Sequence, residues 1–160
     1  MNLLRIKRDL LLVTFFRKNC RENLTTISRA TKMPVSTIFD KLKEFEKDLV
    51  SKHTTIVDFK KLGFDIKLSI LFKLGKDSKE EFRKFLITNE NVNTVLRVNN
   101  GYDYLVEAIF RNMSAVQRFY EQIDRFNIED KKELFVIEDV IREAFLSNQD
   151  HTGMLLSEYY

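Results

Sequence analysis

Apolar residues in the first fifty positions recur with the period of an α-helix, and beyond Ser51 they recur at every second residue. Leu4, Leu11, Leu12, Phe15 and Phe16, with Arg5, Arg8 and Lys18 between them, predict an amphipathic helix over 3–19. Asn19 to Asn23 break the pattern. Leu24 to Lys32 predict a second, short helix with Thr25 as its N-cap and Ile27 and Ala30 turned inward. Met33-Pro34-Val35 ends it, because a proline disfavours helical geometry at the preceding residue. Ser36 then opens a third helix as its cap, with Ile38, Leu42, Phe45 and Leu49 on one stripe.

The alternating part begins with a short strand at Thr55-Ile56-Val57 and a turn from Phe59 to Gly63. Phe64, Ile66, Leu68, Ile70 and Phe72 form one face of a longer strand, which Gly75 ends. A helix follows, capped by Asp77 or Ser78 and carrying Phe82, Phe85 and Leu86. Val92 to Val98 and Tyr104 to Phe110 read as strands on either side of the turn signal Asn99-Asn100-Gly101. Ser114 caps a helix with Val116, Phe119, Ile123 and Phe126 on one side, and Leu134 to Val140 form the last strand. The predicted class is α+β: a three-helix, winged helix-turn-helix unit, then a ferredoxin-like βαββαβ domain with both helices on one sheet face. Leu71, Leu105 and the run Leu134-Phe135-Val136-Ile137 leave the other face apolar. A second copy of the sheet would cover it, making a homodimer. The boundaries expected are 1–53 for the helical domain, 54–63 for a strand and linker, 64–146 for the sheet domain and 147–160 for a tail.

Charge sharpens this division. The net charge is +3, but residues 1–53 hold 12 Lys and Arg against 6 Asp and Glu, while the remainder is net negative by 3. A basic amino-terminal third beside an acidic remainder suggests that only the first meets a polyanion. The single cysteine, Cys20, excludes an internal disulfide and a cysteine metal cluster, fits a reducing cytoplasm, and reads as a half-buried hydrophobe. No apolar run approaches the ~20 residues of a membrane span. The basic, apolar amino terminus lacks a small-residue cleavage site and reads as helix. Glu138 and Asp139, expected in the last strand, have no His, Lys or nucleophile beside them to complete an acid–base site. His53, where the strand linker begins, reads as a surface or packing residue rather than a ligand, and His151, in the tail, has no visible partner. No catalytic residue, metal site or cofactor is expected.

A short helix, a tight turn and an amphipathic helix allow the third helix to enter a major groove of double-stranded DNA. Ser36 and Thr37 bring hydroxyls and free backbone N–H groups to its start, with Thr25 on the preceding helix. Phe39 suits a thymine methyl, Asp40 a cytosine amine, and Lys41 a guanine edge or a phosphate, while Lys43 and Lys47 suit phosphates. The same charges, mixed with Glu44, Glu46 and Asp48, also describe an ordinary solvated helix face.

The stretches LTTISRATKMPVSTIFDKLKEFE, HTTIVDFKKLGFDI and VNTVLRVNNGYDYLVEAIFRNMSAVQRFYEQI resemble the Lrp/AsnC family of prokaryotic transcription regulators. Ser36-Thr37 with Lys41 matches the start of that family's recognition helix, Leu62-Gly63 the end of its linker, and Asn100-Gly101-Tyr102-Asp103 the turn before its third strand. The resemblance implies a sequence-specific DNA-binding regulator whose βαββαβ domains pair sheet to sheet, with further assembly to tetramers or octamers. It also implies an amino-acid effector near Asn100, Gly101, Tyr102 and Asp103. There Asp103 would accept from the α-ammonium group and the turn's N–H groups would meet the carboxylate. The chain departs from the pattern at Asn100, where the family usually has Gly, and at Lys41, where Arg is common. Read by themselves, Asn100 to Asp103 are equally a tight hairpin in which Asp103 fixes the turn. Two other classes stay open: an effector-binding or assembly module with weak or architectural DNA binding, and an enzyme resembling the sirohaem decarboxylases. The absence of His between 54 and 150 counts against the enzyme.

Overall fold

A computed structural model describes residues 3–148, with side chains from Ile6 onward. The elements are α1 (Leu3–Lys18), α2 (Leu24–Thr31), α3 (Val35–Asp48), β1 (Ile66–Leu74), α4 (Lys79–Thr88), β2 (Val92–Arg97), β3 (Tyr104–Phe110), α5 (Met113–Ile123) and β4 (Ile128–Phe135). Short 3-10 turns cover Phe59–Leu62 and Lys76–Ser78. The chain forms two compact units. One is built on the residues up to Thr55 together with those from Val140, the other on Ile56–Asp139. The expected tail lies, beyond Asn148, outside the described residues, and so does His151.

In the helical unit, Leu12, Ile27, Met33, Ile38 and Phe45 close a small core, with Val13, Phe15, Phe16, Leu24 and Val50 packed around it. The cap of α2 is Asn23 and not Thr25. The Asn23 side chain accepts from the Thr25 amide at 2.9 Å, leaving Thr25 exposed inside the first turn. Ala30 is exposed as well, because Met33, from the turn, takes the core place beside Ile27. Lys32 stops α2 at φ 57, a left-handed conformation that glycine more often supplies. Pro34, with φ fixed near −59, stands at the cap of α3, so Ser36 lies one position inside the helix and caps nothing. The stripe of α3 ends at Phe45. Leu49 is already the C-cap and is exposed, and Val50 turns back toward the core in its place. Cys20 is exposed, in the connection after α1, where nothing packs over it.

The residues from Val140 return to this unit, which periodicity did not anticipate. Arg17 holds them: its guanidinium donates to the Glu143 carboxylate, the Glu143 carbonyl and the Phe145 carbonyl, each at 3.0 Å.

In the second unit the four strands form an antiparallel sheet in the order β2-β3-β1-β4. Leu68, Ile70, Phe72 and Leu74 of β1 alternate to one face, beside Tyr104, Val106, Ala108 and Phe110 of β3. Phe82 and Leu86 of α4 and Val116, Phe119 and Ile123 of α5 pack on that face. The fourteen phenylalanines find much of their use here: the Phe82 ring meets Phe72 edge-on at 4.9 Å and Phe126 at 5.0 Å. The opposite face carries Leu71, Leu105, Leu96 and Leu134, with Lys67 held between Glu107 (2.9 Å) and Asp139 (2.6 Å).

Four expected features differ. The last strand is Ile128–Phe135, not 134–140, so Glu138 and Asp139 lie beyond it. β4 is an edge strand built from Glu129, Asp130, Lys131, Lys132 and Glu133, held by pairing with β1 and by a Lys73–Glu129 ion pair at 3.1 Å. Such charges protect an edge but erase the apolar alternation that marks a strand. Thr55–Val57 are exposed and form no strand, so the described chain has no β wing there. The α5 cap is Asn112, which accepts from the Ala115 amide at 3.0 Å, in place of Ser114. Ser78 stands at the α4 cap, but its hydroxyl accepts from the Asn127 amide instead.

Candidate functional site

Each unit presents one candidate site. In the helical unit it is the outer surface of α3. Counting from buried Ile38, the positions turned farthest from the core are Ser36, Asp40, Lys43 and Lys47, spaced by four, three and four residues. All four are exposed, as are Thr37 and Phe39 on the two flanks. Phe39 keeps 45% of its surface in water, and the Lys43 ammonium lies over its ring at 4.4 Å from the centroid. An exposed phenylalanine beneath a cation presents an apolar surface and a positive charge together, a pairing suited to a base methyl next to a phosphate.

Lys41 is not brought to that surface. It stands three residues after Ile38 and four before Phe45, on the flank of the buried stripe, and its side chain is only 18% exposed. Its ammonium lies 3.2 Å from the Asp9 carboxylate on α1 and 2.8 Å from that of Glu44. The structure thus does not bring Lys41 together with the outward residues that the sequence grouped with it. The spacing to Ile38 and Phe45 was the signal available in the sequence.

In the sheet unit the candidate site surrounds Asp103. A cavity of about 650 Å³ lies between α4 and the β2–β3 edge, lined by Lys79, Glu80, Arg83, Ile87, Val95, Arg97, Asp103 and Tyr104. Asp103 is the one residue of the expected turn that lines it. The Lys79 ammonium donates to one of its carboxylate oxygens at 2.5 Å and the Leu74 amide to the other at 2.9 Å. Burial alone would push the Asp103 pKa up, but these two donors outweigh it and hold the carboxyl below its ordinary range. Asn100 and Gly101 form the exposed hairpin tip at φ 64 and 91, both left-handed, as a tight two-residue turn requires. Tyr102 turns to β4, where its hydroxyl donates to Asp130 at 3.0 Å. The cations Lys79, Arg83 and Arg97 escaped the sequence reading, because only the register of β2 against β3 and the start of α4 bring them together. His53 faces Glu46 at 3.2 Å on the surface of the helical unit. Among the described residues no cluster of His, Cys, Asp and Glu could hold a metal ion, and no helix is long and apolar enough to cross a membrane.

Residues 68–144 match the family described as the Lrp/AsnC ligand binding domain. That domain places the sheet unit in the Lrp/AsnC family, and over most of its length the chain is similar to helix-turn-helix transcriptional regulators of that family. An HTH-type regulator of Pyrococcus horikoshii is 23% identical over 129 residues, covering 80% of this chain and 87% of its own. The regulator FL11 of Pyrococcus abyssi is 26% identical over 116 residues, covering 72% and 77%. Among solved structures, a transcriptional regulator of Neisseria meningitidis in complex with L-Met superposes with a TM-score of 0.77 at 18% identity, covering 84% of this chain and 91% of that one. LrpC of Bacillus subtilis does so with a TM-score of 0.75 at 17% identity, covering 84% and 95%. The Lrp/AsnC architecture of three helices followed by βαββαβ is therefore that of this chain.

Proposed function

We propose that this chain is an Lrp/AsnC regulator that binds duplex DNA sequence-specifically through the outer face of α3, as a homodimer or larger assembly, and that a small molecule acts at the cavity beside Asp103. The observation that carries the DNA reading is the surface made by Ser36, Asp40, Lys43 and Lys47, with Thr37 and Phe39 beside it. None of these side chains is used by the core, and they present hydroxyls, an apolar ring and cations together. Ser36 and Thr37 lie in the first turn, where free N–H groups favour a phosphate. Thr25, exposed at the start of α2, offers a further backbone contact.

The effector reading rests on the cavity's chemistry and on the Neisseria regulator's complex with L-Met. Arg97 and Arg83 suit a carboxylate, and Ile87 and Val95 an apolar side chain. An α-ammonium group would compete with Lys79 for Asp103.

Selection of bound duplexes from a random pool, at two salt concentrations, tests the DNA reading. Enrichment of a roughly palindromic site, lost at high salt and altered in base preference by Phe39→Ala, is the expected result. Binding without an enriched site would leave an architectural role. Absence of binding at low salt would leave an effector-binding module. Isothermal titration of single amino acids into the wild type and Arg97→Ala tests the cavity, with binding lost in the variant.

A further inference from the structure

The outward face of α3 has a direction, and something must fix it. Ile38 and Phe45, buried against Leu12, Ile27 and Met33, set its roll through interlocking side chains, and a polar contact on the flank of that stripe adds a directional restraint. At its amino-terminal end α3 has no side-chain cap. A polar tie reaches it from α1, from Asp9 to Lys41, two side chains 28% and 18% exposed. The Lys41 stem passes near Phe45, with the ammonium 5.9 Å from that ring's centroid. To touch a phosphate, the ammonium would have to leave both Asp9 and Glu44.

We infer that Lys41 is a positioning residue that acts through Asp9: their ion pair restrains the roll of α3 on α1 and so helps aim Ser36, Asp40, Lys43 and Lys47. The inference rests on the DNA reading above and adds a residue, Asp9, that lies outside the recognition helix. It also assigns Asp9 an effect opposite to its charge. A carboxylate near a DNA-binding surface ordinarily weakens binding, so removing one should strengthen it. Here removing it releases the helix and weakens binding.

The test uses the full chain and the duplex enriched by selection, with affinity measured across a series of salt concentrations. Lys41→Met keeps the stem and removes the charge, and Asp9→Asn keeps the shape. Each is expected to weaken the specific duplex roughly tenfold. The slope of log affinity against log salt should stay at the wild-type value in both. The double variant should be no weaker than either single one, as for two members of one interaction. Lys41→Arg, which keeps the pair, should retain affinity. Lys47→Ala serves as the phosphate-contact control, and its slope should fall by about 0.9. A like fall in Lys41→Met would make Lys41 a phosphate contact and overturn the inference. Unchanged or tighter binding by Asp9→Asn would do the same.

A second readout needs no DNA. In amide spectra of the free chain, Asp9→Asn should move the resonances of residues 36–47 while leaving those of the sheet unit in place. Unmoved resonances would refute the positioning role even if the DNA reading stands. Movement of those resonances in a protein that binds no duplex would support the tie and sink the DNA reading alone.

Discussion

The Lys79 ammonium and the Asp103 carboxylate meet at 2.5 Å and join the first turn of α4 to the start of β3. The second oxygen of Asp103 accepts from the Leu74 amide, and the Asp103 amide donates to the Phe72 carbonyl at 2.8 Å. One aspartate therefore ties the end of β1, the start of α4 and the β2–β3 hairpin. The same residue lines the cavity, so a ligand bound there, as proposed above, would draw on the group that holds these elements together.

Asp103→Asn should cost roughly 1–2 kcal/mol at neutral pH, discounted because Lys79 is partly in water. The pH dependence has a definite sign. The folded pKa lies below the unfolded value of about 3.8, so the contribution is complete above that value and is lost as pH falls through the lower folded one. Urea unfolding at pH 7 and at pH 3 should show the gap between wild type and variant narrowing at the acid end. A gap of equal size at both pH values would mean that the carboxylate's charge contributes nothing.

The caps provide a contrast within one experiment. Asn23→Ala and Asn112→Ala should each cost about 1 kcal/mol, because each removes the acceptor for a first-turn amide. Ser36→Ala and Ser114→Ala should be near neutral in thermal unfolding, since neither residue caps its helix. Ser36→Ala should then appear in DNA affinity without a matching loss of stability.

The contrast also marks how much was legible in the sequence. The helix-turn-helix order and the βαββαβ order were readable because Ile27, Ile38 and Phe45 follow one period, and Leu68, Ile70 and Phe72 another. Ser36 was misread as a cap because Pro34, with its fixed φ, takes the cap position and starts the helix two residues earlier than the serine suggests. The last strand was misplaced because β4 is held by backbone pairing and ion pairs, which leave no hydrophobic pattern. The return of the residues around Glu143 to Arg17, and the meeting of Lys79 and Arg97 at the cavity, depend on contacts distant in sequence. Periodicity carries no record of such contacts. Lys41 is the instructive middle case. Its distance from Ile38 and Phe45 already put it on the inner flank, but the charge drew it into the DNA-reading set.

Gly101 has φ 91 and nothing within 4 Å of where a Cβ would project. Gly101→Ala should therefore cost about 1 kcal/mol from backbone strain alone, without a clash. Asn100 is already left-handed at φ 64, a conformation asparagine tolerates better than most residues. Asn100→Gly should accordingly hold or slightly raise the melting temperature. A large loss in either variant without a change at the hairpin would show that the tip has a contact beyond its own turn.

The open sheet face supplies the last prediction. Leu134 and Leu96 keep about half their surface in water, 49% and 51%, on the face away from α4 and α5. Leu71 and Leu105 are half-buried between them, directly opposite one another in register. A stable pairing of two copies buries about 800 Å² on each partner, and a charge placed at such a centre is desolvated without a partner. Leu134→Glu should therefore convert the proposed homodimer to monomer in sedimentation equilibrium. The fold should survive, because the side chain lies outside the core cluster. Leu96→Glu, on the strand at the opposite sheet edge, should act in the same direction. If the wild type sediments as a monomer, or Leu134→Glu leaves a dimer intact, copies of this chain do not pair through that face. The duplex site would then be expected to lose its two-fold symmetry, unless another surface of the chain makes the pair.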